Sequence, residues 1–202
     1  MYQRFIKRSL DILLSSIGLL VLSPLFLILA VWIRLDSPGP VFFRQKRIGI
    51  HHSVFEILKF RTMRTNAPRD LATHLLQDPD YWITRAGKFL RKTSLDELPQ
   101  LINIIRGEMS IVGPRPALWN QDDLITLRDQ YGANDVVPGL TGWAQVNGRD
   151  SISLEEKARL DGEYASHISF SMDIKCLLLT VGVVLNRKGY SEGQDESNSS
   201  NL

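Results

Sequence analysis

The feature that most constrains this chain is a long apolar segment close to its N-terminus. After the basic lead YQRFIKR, the run SLDILLSSIGLLVLSPLFLILAVWIRL is apolar apart from Asp11 and several serines. A helix of roughly 20 apolar residues is long enough to cross a bilayer. A signal peptide shares the basic-then-apolar order, but this segment is longer and lacks a small-residue cleavage site. We therefore expect residues 1–36 to be a membrane anchor and do not expect secretion.

Ser23 and Pro24 lie in the middle of this segment. Pro24 cannot donate to the carbonyl of Leu20, so we expect a kink there, and Ser23 can satisfy the freed carbonyl. A simple span should show more basic charge on one side, whereas this segment is basic on both sides. These symmetrical flanks favour a broken helix that enters and leaves by the cytoplasmic face, with a kinked single span as the alternative. The flanking basic residues are Arg4, Lys7 and Arg8 before the segment and Arg34, Arg44, Lys46 and Arg47 after it.

Composition sets the broad class of the rest of the chain. The 202 residues are 44% hydrophobic and carry a net charge of +2, which fits one ordinary domain with a segment attached. No large basic excess points to nucleic acid, so we expect no nucleic-acid partner. The single cysteine, Cys176, lies in an apolar run, which excludes a disulfide framework and a cysteine-based metal site. A reducing, cytoplasmic setting follows.

The pattern after the apolar segment predicts an α+β domain that is mainly helical. VFFRQKRIG and SVFEILKFRTM predict a small β-hairpin with His51 and His52 at its turn. LPQLINIIRGEMS has the apolar spacing of a helix that ends at Gly107. SLEEKARLDGEYASH predicts a helix opened by a capping box between Ser153 and Glu156. MDIKCLLLTVGVVL predicts a core or interfacial helix that is too short to span a membrane.

These elements divide the chain into three parts. We expect a membrane anchor over 1–36, a catalytic domain over 37–186 and a disordered tail over 187–202. The tail is predicted to be disordered because RKGYSEGQDESNSSNL has too few apolar residues to form a core.

The stretch KTSLDELPQL places two carboxylates side by side. Ser94 and Glu97 have the spacing of a capping box, which predicts an ordinary helix start. Pro99 would then lie inside that helix, where it forfeits a backbone hydrogen bond. The proline therefore moves the start to about Leu98, and Asp96 and Glu97 are left just outside the helix.

Cations recur around this carboxylate pair, several of them beside glycine or proline turns. Rigidly held guanidinium groups suit phosphate oxygens, so the set indicates a diphosphate substrate. Mg²⁺ binds through one or two carboxylates together with substrate phosphates, and a carboxylate can also be a nucleophile at phosphorus. At its ordinary pKa of about 4 the carboxylate is ionised at neutral pH without a general base. The cations are Lys59, Arg61, Arg85, Arg91, Lys92, Arg115 and Arg149.

Other motifs are weaker. DPD at 78–80 has the D-x-D spacing by which many nucleotide-sugar glycosyltransferases hold a metal, but no βαβ nucleotide-binding half precedes it. The sequence contains no Walker loop, no G-x-G-x-x-G and no H-E-x-x-H, so hydride transfer, P-loop hydrolysis and zinc proteolysis lack support.

Taken together, the motifs resemble the bacterial sugar transferases of the monotopic phosphoglycosyl transferase family, close in size to the small PglC type. The resemblance rests on KRSLDILLSSIGLLVLSPLF, SPGPVFFRQKRIG, KFRTM, LRKTSLDELPQL, GEMSIVGPRP, PGLTGWAQVNGR and SFSMDIK. It implies transfer of a sugar 1-phosphate from a UDP-sugar to a polyprenyl phosphate such as undecaprenyl phosphate, with release of UMP. This reaction begins the assembly of O-antigen, capsule, exopolysaccharide or protein-linked glycans.

The resemblance also implies residue roles. Asp96 is the expected nucleophile that forms a phosphosugar–enzyme intermediate, and Glu97 assists at Mg²⁺ or in proton handling. Mg²⁺ is the expected cofactor, held by these two carboxylates. Lys59, Arg91, Arg115 and Arg149 are expected to bind phosphates, with Asp173, Arg61 and Gln145 as second-tier candidates.

The family further implies that Ser23 and Pro24 break a re-entrant helix, which places a monotopic protein on the cytoplasmic face of the bacterial inner membrane. A homodimer or a complex with other glycan-pathway enzymes is an open expectation. The sequence does not specify the donor sugar, and the small members of the family suggest an N-acetylated amino sugar, for example of the bacillosamine type. Two alternatives stay open. One is a glycosyltransferase that releases UDP and uses the D-x-D at Asp78, and the other is a membrane-anchored module that binds anionic lipid through its basic residues.

Overall fold

The structure, a computed structural model, describes residues 2–68, 78–148 and 151–186. Four short strands and the helices around them form the described part of the chain, so the α+β prediction is confirmed. The predicted tail and Arg149 lie outside the described residues. A π-helical turn, Tyr2–Ile6, precedes the helices α1 Lys7–Asp36, α2 Pro79–Trp82, α3 Arg85–Thr93, α4 Gln100–Arg106, α5 Asp122–Gln130, α6 Trp143–Val146, α7 Leu154–Ser166 and α8 Phe170–Asn186. The strands are β1 Phe42–Ile48, β2 Val54–Phe60, β3 Ser110–Val112 and β4 Gly139–Thr141.

The predicted hairpin is formed by β1 and β2, which pair antiparallel from Phe42 opposite Phe60 to Ile48 opposite Val54. A turn of 3₁₀ helix, Ile50–His52, connects the two strands. The hairpin prediction is therefore confirmed.

Strands β3 and β4 form a short parallel pair that the sequence did not reveal. Ser110 lies opposite Gly139, and Val112 lies opposite Thr141. After β3, the amide of Gly113 donates to the carbonyl of Thr141, at 2.8 Å. The pair therefore fixes the backbone immediately before Arg115.

Several predicted helix ends are confirmed. Helix α4 ends at Arg106, and Gly107 follows it with a φ of 88°, in the left-handed region that favours glycine. The Ser153 side chain caps α7 by accepting a hydrogen bond from the amide of Glu156, at 3.1 Å. Helix α8 forms where the last apolar run predicted one.

Helix α1 is a single α-helix with Pro24 inside it. The break expected at Ser23–Pro24 therefore does not divide the segment into two helices. Pro24 has no backbone N–H to donate to the carbonyl of Leu20. The Ser23 hydroxyl donates to that carbonyl instead, at 2.8 Å. This rescue of the carbonyl was predicted, and it is confirmed.

The same globular body holds α1 at both ends. Near its start, Asp11 accepts hydrogen bonds from the Ser110 hydroxyl at 2.7 Å and from the Ile111 amide at 2.9 Å. Near its end, Leu29 and Ile33 are buried in an apolar cluster with residues of β2 and α3. Within the described part of the chain, α1 is the helix that is long and apolar enough to cross a membrane, judged by length and composition.

Candidate active site

The two carboxylates lie on a turn between α3 and α4. Helix α3 ends at Thr93, and Ser94 follows with a φ of 56°, so it terminates α3 in the left-handed conformation. Leu95–Glu97 is a turn of 3₁₀ helix, and Pro99 is the N-cap of α4. The capping box expected at Ser94 is wrong, because its side chain makes no capping hydrogen bond in this conformation. The argument from Pro99 is confirmed, since both acids precede α4.

Glu97 is held by two cations from distant parts of the chain. Its Oε1 accepts from Lys59 Nζ at 2.9 Å and from Arg115 Nη2 at 2.8 Å. Burial alone would raise the pKa of the Glu97 carboxyl, but Arg115 and Lys59 outweigh burial and hold that pKa well below its usual range. Glu97 is therefore ionised at neutral pH and engaged with the two cations.

Asp96 has a different environment. It is 8% exposed, and within the described ranges its side chain has no hydrogen bond or ion pair. Burial raises the pKa of Asp96, and the charge of Glu97 adds to this, while Lys59, Arg91 and Arg115 oppose it. No described side chain thus binds the Asp96 carboxylate, and positive charges surround it at longer range.

The surrounding cations are fixed by their own contacts. Arg91 donates from Nε to the Thr62 hydroxyl at 2.9 Å. Arg115 follows β3 and lies between Pro114 and Pro116, which restrict the backbone. Lys59 is partly buried on β2, and its desolvation lowers the pKa of the ammonium, partly offset by Glu97. The structure thus brings together Lys59, Arg91 and Arg115 with both carboxylates, as the sequence predicted.

Arg47 is a further cation of this cluster that the sequence interpretation treated only as a flanking charge. Its Nη1 donates to the carbonyl of Pro116 at 3.0 Å, and its Nη2 donates to Gln45 Oε1 at 2.7 Å. Burial, together with repulsion from Arg115, lowers the pKa of Arg47 to about 9. Strand alternation is the signal that could have found it, because Arg47 shares the inward face of β1 with Gln45.

Two second-tier candidates lie elsewhere. The Arg61 guanidinium donates to the carbonyls of Ser37, at 2.7 Å, and Pro38, at 2.5 Å, so it stabilises the segment that follows α1. Asp173 accepts from Lys7 Nζ at 2.6 Å and from the Tyr164 hydroxyl at 2.7 Å, so it joins α8 to α1 and α7. In these contacts each residue is a buried structural partner, and none of the contacts includes Asp96 or Glu97.

Gln145 lies on α6, next to the segment that carries Arg115. Its Nε2 donates to the carbonyl of Leu140 at 3.1 Å, and its Oε1 is buried with no hydrogen-bond partner among the described residues. The preceding Gly142 packs directly on the carbonyl of Gly113. Gln145 therefore stays a candidate at the edge of the site.

The D-x-D residues are not part of the cluster. Asp78 and Asp80 are exposed, and Asp80 forms an ion pair with Lys88 at 3.1 Å. No group of three or more potential metal ligands occurs among the described residues. An all-protein metal cage is therefore absent from this part of the chain, whereas Mg²⁺ needs only one or two carboxylates when substrate phosphates complete its ligands. The open carboxylate of Asp96 fits that requirement, and Glu97 retains one oxygen, Oε2, beside its engaged Oε1.

The sequence is similar to known sugar transferases over most of its length. Residues 2–187 match the family model described as "Bacterial sugar transferase". The chain is 42% identical to "Uncharacterized sugar transferase EpsL" of Bacillus subtilis (strain 168), over 93% of this chain and 91% of that protein. It is 42% identical to "UDP-glucose:undecaprenyl-phosphate glucose-1-phosphate transferase" of Escherichia coli (strain K12), over 88% of this chain and 40% of that protein.

A third relative, from Aeromonas hydrophila, is named "UDP-N-acetylgalactosamine-undecaprenyl-phosphate N-acetylgalactosaminephosphotransferase". It is 38% identical over 92% of this chain and 45% of its own length. This chain thus spans less than half of the two relatives whose names specify a sugar. Because the family model covers nearly all of the sequence, this chain belongs to the bacterial sugar transferase family.

Proposed function

We propose that this protein transfers a sugar 1-phosphate from a UDP-sugar to undecaprenyl phosphate or a similar polyprenyl phosphate. The observation that carries the proposal is the buried, unoccupied carboxylate of Asp96 among three cations. A diphosphate donor supplies the negative charge that these cations match. The names of the Escherichia coli and Aeromonas relatives support the donor and acceptor classes.

The reaction proceeds in two displacements at one phosphorus atom. First, an Asp96 carboxylate oxygen attacks the phosphorus that bears the sugar, and the bond between that phosphorus and the bridging oxygen breaks, releasing UMP. Second, a phosphate oxygen of the polyprenyl phosphate attacks the same phosphorus, and Asp96 leaves as a carboxylate. Neither step needs a proton to be removed from the nucleophile, because both nucleophiles are anions.

The two carboxylates have separate roles in this scheme. Glu97 is the poorer nucleophile, because Lys59 and Arg115, at 2.9 and 2.8 Å, stabilise its negative charge. It instead orients these cations toward the donor phosphates. Asp96 makes no such contacts, so it is the nucleophile. Arg91, fixed by Thr62, stabilises the charge that develops on the departing phosphate.

Mg²⁺ is the proposed cofactor, and Asp96 and Glu97 would hold it together with the donor phosphates. When bound, it neutralises phosphate charge and so reduces the repulsion between the donor and an anionic nucleophile.

We also propose that the protein is monotopic and faces the cytoplasm. Both ends of α1 contact one globular body, through Asp11 at one end and Ile33 at the other. A helix that crossed the membrane once would carry its two ends to opposite sides. The basic residues on both flanks of α1 support the same orientation.

The test is a turnover assay with product identification. Purified protein is incubated with Mg²⁺, undecaprenyl phosphate and a panel of UDP-sugars that includes UDP-glucose, UDP-N-acetylgalactosamine and an N-acetylated bacillosamine donor. We expect UMP from at least one donor, and none from Asp96→Asn. Release of UDP would indicate a glycosyltransferase instead. Absence of both products from every donor, or full activity of Asp96→Asn, would overturn the proposal.

A further inference from the structure

Helix α3 has an exposed face that the proposed chemistry does not use. Its buried face consists of Ala86, Gly87 and Leu90, which pack toward the body. The opposite face is exposed and combines three basic side chains with one aromatic ring, and the helix contains no acidic residue. We call this the α3 basic face; it comprises Arg85, Lys88, Phe89 and Lys92.

This face is continuous with the apolar surface of α1. The ring of Phe89 lies 5.3 Å from that of Trp32, and both are exposed, by 44% and 38%. Trp32 follows Ile28 and precedes Leu35 at helical spacing, and both of these residues are also exposed. An apolar stripe on α1 thus ends in an aromatic pair, and the basic side chains begin beside that pair.

The order of these groups matches the depth profile of a membrane surface. Apolar residues favour the acyl chains, and tryptophan is enriched at the level of the head groups. Lysine and arginine extend beyond them toward the water, where they attract anionic lipid. Among the described residues, Lys88 has an ion pair with Asp80, at 3.1 Å, and both side chains are more than half exposed. Arg85 and Lys92 have no ion pair within those residues.

Most exposed acidic side chains lie on other elements. Glu56 lies on β2, and five more lie on α5, on α7 and on the 3₁₀ turn Ala133–Asp135: Asp122, Asp123, Asp129, Asp135 and Glu155. Asp78 and Asp80 precede α3, and Asp80 offsets part of its charge through the ion pair with Lys88. Helix α3 packs against α1 and the carboxylate-bearing turn, so its basic side chains lie next to the apolar helix.

We propose that the α3 basic face binds the anionic phospholipid head groups of the bilayer that holds α1. The ligand is bulk anionic lipid, such as phosphatidylglycerol, and not the lipid-linked phosphate that reacts. This contact orients the body so that the C-terminal end of α3, which leads to Asp96, lies at the membrane surface. The inference rests on the proposed membrane association but not on the proposed reaction.

A vesicle competition assay tests this inference without turnover. The full chain is diluted from detergent into a mixture of two vesicle populations. One population is sucrose-loaded and contains phosphatidylcholine and phosphatidylglycerol at 7:3, and the other is unloaded and contains phosphatidylcholine alone. Centrifugation then separates the two populations. Insertion of α1 contributes equally to both populations, so it cancels from the ratio of bound protein. A repeat with the sucrose load exchanged controls for vesicle density.

We expect the wild type to favour the anionic vesicles. In the variant Arg85→Gln/Lys88→Gln/Lys92→Gln, the ratio of protein bound to anionic and to neutral vesicles should be at least about tenfold smaller. Each basic residue near an anionic surface is worth roughly fivefold, reduced here by Asp80 and by salt. The matched control Arg44→Gln/Lys46→Gln/Arg159→Gln removes the same charge from other exposed positions and should keep most of the preference. Thermal unfolding in detergent shows whether each variant is folded, and Lys88→Gln alone provides a milder substitution.

Three results would overturn the inference: equal binding of the wild type to both vesicle types, an equal loss in the control variant, or an unchanged preference in a folded α3 variant. A third vesicle type carries undecaprenyl phosphate at matched negative charge instead of phosphatidylglycerol. A preference confined to those vesicles would assign the α3 basic face to the lipid substrate and contradict the inference. UMP release is measured separately, so failure of the proposed reaction does not affect this readout.

Discussion

Asp96 and Glu97 are adjacent in sequence and opposite in their electrostatic environment. Glu97 is stabilised as an anion by Lys59 and Arg115, whereas burial disfavours the anion of Asp96. A carboxylate whose surroundings disfavour the anion is a better nucleophile than one whose negative charge is stabilised by two cations. The separation of the two pKa values in opposite directions thus gives a physical reason for their different roles.

This difference predicts a stabilising substitution at the proposed nucleophile. Burial raises the pKa of Asp96 in the folded protein above its value in the unfolded chain, which is about 3.9. The folded state therefore loses stability as the pH rises above about 3.9, and the loss is complete above the pKa of the folded state. We therefore expect Asp96→Asn to raise the Tm at pH 7 by about 2–4 °C, corresponding to about 1 kcal/mol. The gain should disappear below about pH 4, where wild-type Asp96 is protonated in both states.

Calorimetry in detergent between about pH 3 and pH 8 measures this effect. Asp122→Asn, at an exposed carboxylate, is the control and should change stability by less than about 0.5 kcal/mol. An Asp96→Asn variant that is less stable than the wild type at pH 7 would show that the cations, not burial, dominate the energy of Asp96.

Arg47 gives a second prediction at the residue scale. It fixes the carbonyl of Pro116, next to Arg115, through a directed guanidinium contact of 3.0 Å. Arg47→Lys keeps the charge but cannot bond both Pro116 and Gln45 in the same way. We expect kcat/KM to fall by about tenfold, equivalent to about 1.4 kcal/mol for one charge-assisted hydrogen bond.

Steady-state UMP release measures this loss. Arg44→Lys is the matched control, since Arg44 lies on the same strand, is exposed and pairs with Glu56 only at 3.6 Å. In an Arg115→Lys background, Arg47→Lys should have little additional effect if it acts by positioning Arg115. Full additivity of the two substitutions would refute that role.

At the scale of elements, the position of α3 depends on one close backbone approach. A Cβ on Gly87 would lie 2.7 Å from the carbonyl carbon of Thr62, so an alanine there must displace the helix. Arg91 is on the same helix and is fixed by the same Thr62. We expect Gly87→Ala to destabilise the protein by about 1–3 kcal/mol and to lower activity, as overpacking does.

Urea or thermal unfolding together with UMP release checks this prediction. Gly182→Ala in α8 is the control, because nothing lies within 4 Å of a Cβ built there. That substitution should be neutral or stabilising by up to about 1 kcal/mol, as alanine is favoured in helices. Equal effects of the two substitutions would mean that the Gly87 contact does not determine the placement of α3.

The elements that could be predicted from the sequence are those specified by local pattern. The hairpin follows from alternation, α4 from the position of Pro99 and Gly107, and α7 from the Ser153 cap. The β3–β4 pair could not be predicted, because each strand has only three residues and the two are far apart in the chain. At Ser94 the local pattern predicted a feature that does not form. Its spacing from Glu97 fits an N-terminal capping box, but Ser94 instead ends α3 in the left-handed conformation.

At the scale of the whole molecule, the site is assembled from separate segments. Lys59 comes from β2, Glu97 from the turn after α3, and Arg115 from the segment after β3. Residue type predicted that such cations and acids would meet, and the structure brings these three together. It could not predict that Arg61 and Asp173 bind other partners, because that choice depends on which elements pack against α1.

The same assembly links the membrane segment to the chemistry. Asp11 of α1 bonds to the backbone and side chain at the start of β3, which leads to Arg115, and Arg8 donates to the carbonyl of Ile105 near the end of α4, at 2.8 Å. In the proposed reaction, the lipid-borne acceptor and the water-soluble donor would meet at a site that is fixed relative to α1.

Intact-mass analysis can detect the covalent intermediate itself, when the protein is incubated with Mg²⁺ and a UDP-sugar that supports turnover but without any polyprenyl phosphate. We expect release of up to one UMP per protein and a mass increase equal to one sugar phosphate. Peptide mapping should locate the adduct on Asp96, and addition of undecaprenyl phosphate should remove it. Asp96→Asn should show neither signal, while Arg44→Lys should show both. An adduct that persists in Asp96→Asn, or UMP release that occurs only with the acceptor present and without any adduct, would contradict the assignment of Asp96 as the nucleophile.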